Sequence, residues 1–74
     1  MYKWKIDVVL KNSGVLKSCT YVGPEDTEVD VIKKLFHGRE STYYVDLYGK
    51  DETVATYICV GDVAAIDIYG RRKV

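Results

Sequence analysis

The chain has 74 residues, with 11 basic and 11 acidic side chains and two cysteines. This length allows one domain, and a net charge of zero gives no general attraction to nucleic acid or anionic lipid. Two cysteines are too few for a disulfide-rich secreted scaffold, and no window approaches the roughly 18 apolar residues of a membrane helix.

The first two elements form a predicted hairpin. Apolar and mainly charged residues alternate over residues 2–11, which is typical of a half-buried strand. Asn12-Ser13-Gly14 predicts a turn, because Asn and Gly tolerate positive φ. Residues 15–22 then read as the returning strand. Its two faces have similar polarity, so the pattern leaves open which of them is buried.

Gly23-Pro24 ends that strand, and the period changes to that of a helix. Apolar residues at helical spacing predict a helix over residues 27–37, with Val31, Ile32, Leu35 and Phe36 turned to the core. Asp26 or Thr27 can cap its first amides, and acidic residues of the first turn suit the helix dipole. Gly38 suits the left-handed conformation that closes many helices.

The second half reads as three more strands. Alternating patterns cover residues 42–48, 53–60 and 64–69, separated by a polar loop at 49–52 and a break at Gly61-Asp62. Each link between strands is short enough for a hairpin. The ββαβββ order predicts an α+β fold, in which one helix packs on one face of an antiparallel sheet of about five strands. The whole chain, residues 1–74, forms one domain, and we read the final Arg71-Arg72-Lys73 as a frayed tail.

The residues capable of catalysis are scattered. His37 occupies the last turn of the predicted helix, where it stabilises the helix end, and Cys19 and Cys59 lie inside strands as small core residues. Asp46, Asp62 and Asp67 form no recognisable acid–base pair. No spacing typical of zinc ligands and no phosphate-binding glycine motif is present. The sequence therefore predicts a protein that is not an enzyme and has no metal site or cofactor.

Tyrosine is the one unusual feature of the composition, with seven in the chain. Strand alternation predicts that four of them share the sheet face opposite the helix: Tyr44, Tyr48, Tyr57 and Tyr69. Tyrosine is enriched in binding surfaces, but it also favours strands. We therefore predict a binding surface made by these four residues, with Lys3 and Lys5 as secondary members, or else an interface between subunits. Asp46 and Asp67 on the same face argue against single-stranded nucleic acid.

Location and assembly follow by elimination. The amino terminus alternates charged and apolar residues, unlike an ordinary signal peptide, so we expect a cytoplasmic protein with reduced cysteines and no membrane attachment. A chain this short usually needs disulfides, a metal or a partner subunit for stability. Because the first two are not indicated, the sequence predicts a homo-oligomer.

The chain resembles small orphan proteins encoded by phages and integrated elements of Gram-positive bacteria. The resemblance lies in residues 2–11, in Lys33-Lys34-Leu35-Phe36 and in residues 60–68. It implies a protein that acts by binding, for example in counter-defence, within the host cytoplasm. Two functions remain open: a module that binds a host or phage protein through its sheet face or strand edge, and an oligomeric sponge that binds a small nucleotide-like ligand between subunits.

Overall fold

The computed structural model describes residues 1–49 and 53–74, so most of the predicted polar loop at 49–52 lies outside the described residues. The α+β class and the ββαβββ order are confirmed: one α-helix accompanies a five-stranded antiparallel sheet. The elements are β1 (Tyr2–Leu10), β2 (Leu16–Gly23), α1 (Glu28–Leu35), β3 (Tyr44–Tyr48), β4 (Ala55–Cys59), a 3₁₀ turn (Val60–Asp62) and β5 (Val63–Lys73).

Strand β1 provides the centre of the core. Its alternate residues Trp4, Ile6 and Val8 are completely buried, as the pattern predicts. Ile6 lies opposite Cys19 of β2 and Ile68 of β5, and residues directly opposite one another share a face of the sheet. The register therefore settles the question that the sequence left open, because the inner face of β2 is the one that carries Cys19.

Helix α1 is shorter than the predicted 27–37. Thr27 is its N-cap and accepts a hydrogen bond from the Asp30 amide at 3.2 Å. The helix ends at Leu35, and Gly38 has the predicted left-handed conformation, with φ of +71°. Val31 and Leu35 are buried, whereas Ile32 and Phe36 are only half-buried. The prediction that Val31, Leu35 and Phe36 face the core therefore agrees with the structure, and Phe36 is less buried because it already belongs to the turn that leaves the helix.

The strand order is β4-β3-β2-β1-β5, so β4 and β5 do not form a hairpin, although the link between them is short enough for one. These strands lie at opposite edges of the sheet, about 19 Å apart if the sheet were flat. Only the three-residue 3₁₀ turn joins them, and four extended residue steps span at most about 14 Å. The sheet must therefore curl, with the core residues on its inner face.

Hydrogen bonds hold the 3₁₀ turn against both halves of the curled sheet. The Val60 amide bonds to the Tyr43 carbonyl at 2.9 Å, and the Lys11 amide bonds to the Asp62 carbonyl at 2.8 Å. The Gly61 amide reaches the Ser41 carbonyl at 2.8 Å. A Cβ atom at Gly61 would lie 2.7 Å from that same carbonyl oxygen, so the close approach requires glycine.

The carboxyl-terminal residues are not a frayed tail, contrary to the prediction. Strand β5 continues to Lys73, and Arg72 lies opposite Lys3 of β1. A bulge at Gly70 and Arg71 shifts the register opposite Trp4, and Gly70 has a φ of +68° that suits glycine. The side chain of Arg71 donates to the Asp26 carbonyl at 2.7 Å and thereby ties β5 to the segment before the helix.

The structure also differs from the prediction for some of the residues that were expected to face the helix from the second half of the chain. Val45, Leu47 and Ile58 are buried as expected. Val54 is 57% exposed because it precedes β4. Residues Ile66 and Ile68 pack against the core but are only half-buried, since β5 is an edge strand.

Candidate binding surface on the outer sheet face

The register places all four predicted tyrosines on the outer face of the curled sheet. Tyr48 lies opposite Thr20, Thr20 opposite Lys5, and Lys5 opposite Tyr69, so these residues form one row on one face. Tyr44 shares the face of Tyr48 by alternation along β3, and Tyr57 lies opposite Asp46. The four tyrosines nevertheless occupy two separate regions, because β2 and β1 lie between β3 and β5.

The first region is the tyrosine patch, defined here as Tyr44, Asp46, Tyr48 and Tyr57. The three rings are 52–63% exposed. Tyr57 lies directly across from Asp46 and diagonally across from both other tyrosines, a spacing that large side chains can bridge. Asp46 therefore lies between Tyr44 and Tyr48 along β3 and opposite Tyr57 of β4.

The second region is the Asp7 cleft, a cavity of about 270 Å³ lined by Lys5, Asp7, Ser18, Cys19, Thr20 and Tyr69. The Tyr69 hydroxyl donates to Asp7 Oδ2 at 2.9 Å. Asp7 Oδ1 is buried and has no hydrogen-bond partner. The cleft thus contains an acceptor that is shielded from water and unsatisfied, an arrangement that costs free energy.

The charges around the cleft add to the free-energy cost of the unsatisfied Asp7 carboxylate. Asp67 of β5 lies directly opposite Asp7, and like charges in that position repel. The hydrogen bond to Asp7 raises the pKa of the Tyr69 phenol, with smaller contributions from burial and from the charges of Asp7 and Asp67. The phenol therefore remains a neutral donor over a wider pH range than an ordinary tyrosine.

The two predicted lysines are placed differently. Lys5 lines the Asp7 cleft, and its side-chain carbons lie close to Gly70, where a Cβ atom would come within 3.3 Å of Lys5 Cδ. The absence of a side chain at Gly70 therefore gives the Lys5 stem room to lie across β5. Lys3 is half-buried on the same face, opposite Val22 and Arg72, and does not line the cleft.

Sequence reasoning missed Asp7 as a member of the site. Its alternation with buried residues indicated an outward position, as for Lys3 and Lys5. The pairing of β1 with β5 brings Asp67 and Tyr69 next to Asp7, and no pattern in the sequence predicts this pairing.

The remaining reactive residues are not brought together. Cys19 is buried, and burial is the main cause that raises the pKa of its thiol. The prediction that Cys59 is a core residue is wrong: it is half-buried on the outer face of the sheet, where its Sγ donates to the Ser41 carbonyl at 3.1 Å. Both cysteines are free thiols, and His37 is exposed beyond the helix end. Within residues 1–49 and 53–74, no three potential ligands are grouped to hold a metal ion.

Comparisons with known proteins return no relative for this chain: no protein-family model, curated protein or solved structure matches it. In the described part of the chain, no helix has both the length and the apolar character needed to cross a membrane.

Proposed function

We propose that the protein is a non-enzymatic interaction module that binds a protein partner through the tyrosine patch on β3 and β4. The observation that carries this proposal is the cluster of three exposed rings around Asp46. Exposed aromatic groups with polar tips are typical of interface hot spots, and they occupy little of an ordinary solvated surface.

The chemistry of the patch favours a basic side chain on the partner. An arginine or lysine can lie over a tyrosine ring while its charge contacts a carboxylate, and this combination is stabilising. The chain contains a cation–ring contact of this kind, since the Arg39 guanidinium carbon lies 4.5 Å from the centroid of the Tyr43 ring. The resemblance to small phage proteins suggests a protein of the bacterial host as the partner.

Site-specific photocrosslinking tests this proposal. A photoreactive phenylalanine analogue replaces Tyr57, and the control carries it at Val29, which has similar exposure on the helix. We expect one host protein to crosslink at position 57 and not at 29. The purified partner should then bind the Asp46→Lys variant at least about tenfold more weakly, since a close charge pair at an interface is worth about 1.5 kcal/mol or more. Equal crosslinking at both positions would contradict the proposal.

The Asp7 cleft supports a second candidate function, the capture of a small polar ligand. Its unsatisfied Asp7 Oδ1 requires a hydrogen-bond donor, and the Lys5 ammonium can contact an acceptor or anionic group. A molecule with a hydrogen-bond donor at one end and an acidic or acceptor group at the other, such as a nucleotide, could bind both groups.

Native mass spectrometry of the protein purified from bacteria tests the second candidate. A retained ligand should appear as additional mass and should be lost in the Asp7→Asn and Tyr69→Phe variants. The Tyr57→Phe variant is the control, because its position lies outside the cleft. If no additional mass appears and a mixture of common nucleotides does not shift the melting temperature, capture of nucleotides is excluded.

A further inference from the structure

Strand β5 has the features of an unfinished sheet edge. It is the longest strand, and in the described part of the chain it pairs with β1 alone. Helix α1 contacts β5, but no backbone hydrogen bond within the described residues occupies the groups on its other side. Its inward residues Ile66 and Ile68 are also only half-buried. An added strand would bond the free backbone groups and cover the apolar side chains.

The outward-facing residues of β5 carry opposite charges on either side of Tyr69. Asp67 lies two positions before Tyr69 on the outer face. After the bulge at Gly70 and Arg71, Arg72 is the next outward residue, opposite Lys3. Strand β1 repeats this separation of charge, because Asp7 lies opposite Asp67 and Lys3 lies opposite Arg72. The edge therefore has an acidic half and a basic half.

Such an edge is complementary to itself under two-fold rotation. If β5 pairs antiparallel with β5 of a second copy about Tyr69, each Asp67 lies opposite Arg72 of the other copy. The bulge counts as one position in this register, so both residues remain on the outer face. The two Tyr69 residues lie opposite one another at the axis. A parallel arrangement in register would instead place like charges together.

The second copy would also reduce the repulsion between two carboxylates within each chain. Asp7 and Asp67 oppose one another, and Asp7 Oδ1 has no partner. The guanidinium of Arg72 from a second copy would lie beside this pair of carboxylates and offset their repulsion. We propose that the protein forms a two-fold dimer by antiparallel pairing of the β5 edges, centred on Tyr69. This inference is independent of the tyrosine patch, which lies on the other side of β2.

Charge reversal with compensation tests the dimer. Sedimentation equilibrium over micromolar to millimolar concentrations should give twice the chain mass of 8.4 kDa for the parent protein. Asp67→Arg and Arg72→Asp should each weaken the dimer about tenfold, because each creates two like-charge pairs at the axis. The double variant Asp67→Arg/Arg72→Asp should return to within about threefold of the parent. Glu40→Arg, an exposed charge reversal away from β5, should leave the affinity unchanged.

Two results would overturn the proposal: a monomer at every concentration, or a double variant no tighter than the single ones. Circular dichroism establishes that each variant is folded. Hydrogen exchange adds an independent readout, since β5 amides that point away from β1 should be protected in the parent and exposed in Asp67→Arg. Crosslinking from position 57 should persist in Asp67→Arg, so failure of the dimer is distinguishable from failure of the proposed partner site.

Discussion

Two regions of this small sheet differ in the extent of their strand pairing and in the exposure of their side chains. In the first, β1 pairs along most of its length with both β2 and β5, and its inward side chains are completely buried. In the second, the β3–β4 hairpin has strands of five residues and joins β2 through the single pair Thr20–Tyr48. The first region contributes the completely buried side chains of the sheet, Trp4, Ile6 and Val8, whereas the second presents three exposed tyrosines to solvent. Substitutions on the inner side of β1 should therefore destabilise the fold more than substitutions of the exposed tyrosines.

The largest loss of stability should follow from a substitution in the first region. Trp4 is completely buried, and its Nε1 donates to the Glu25 carbonyl at 2.9 Å. We expect Trp4→Ala to lower the free energy of unfolding by about 3–5 kcal/mol, which approaches the whole stability of a small domain. Tyr57→Ala in the tyrosine patch should change it by about 0.5 kcal/mol or less. Urea denaturation measures both, and similar losses in the two variants would remove the distinction between the regions.

Helix α1 follows the first region in the chain and precedes the second. The burial of its side chains predicts the next largest loss of stability. Leu35→Ala should lower the free energy of unfolding by about 2–5 kcal/mol, because the side chain is buried against the core. Phe36→Ala should have a smaller effect, since this ring is half-buried in the turn after the helix. Denaturation curves of the two variants provide the comparison. If Phe36→Ala proved the more damaging, the helix would pack by a different side from the one observed.

A smaller difference should be visible without any substitution. Amides of β1 bond to neighbours on both sides, whereas β4 is an edge strand of five residues. Local opening requires less free energy at such an edge, so β4 amides should exchange with deuterium at least about tenfold faster than β1 amides. Hydrogen exchange followed by NMR measures each strand separately. Equal rates would indicate that the sheet opens only as one cooperative unit.

The sequence predicted best those features that depend on local periodicity. The alternation in residues 2–11 correctly indicated the buried face of β1, and helical spacing located α1 to within two residues at each end. Alternation also indicated which side of the sheet Tyr44, Tyr48, Tyr57 and Tyr69 face. Each of these inferences follows from the geometry of a single element.

Features that depend on pairing between distant strands could not be predicted. Alternation specifies which side chains face inward but not which strand lies alongside, so the sequence does not identify β1 as the neighbour of β5. Arg71, Arg72 and Lys73 show no apolar alternation, although backbone pairing with β1 keeps them in a strand. The Asp7 cleft depends on this same pairing, because Asp7 and Tyr69 are 62 positions apart in the chain.

The smallest expected effect concerns the hydrogen bond that joins β5 to β1 in the Asp7 cleft. Because Asp7 accepts this bond, the pKa of the Tyr69 phenol is raised in the folded protein. A raised pKa means that folding favours the neutral phenol. Its contribution to stability is complete below the ordinary tyrosine value of about 10 and is lost as the pH rises through the higher folded value.

The stability advantage of the parent over Tyr69→Phe should therefore be constant below about pH 10 and should decrease at more alkaline pH. Urea denaturation between pH 7 and 11.5 measures this difference, and phenolate absorbance follows the ionisation directly. Asp7→Asn is the control, because loss of the carboxylate charge should bring the Tyr69 pKa back towards its ordinary value. An advantage that increased above pH 10 would mean that the folded protein favours the phenolate, and the Tyr69 hydroxyl would then not be the donor to Asp7.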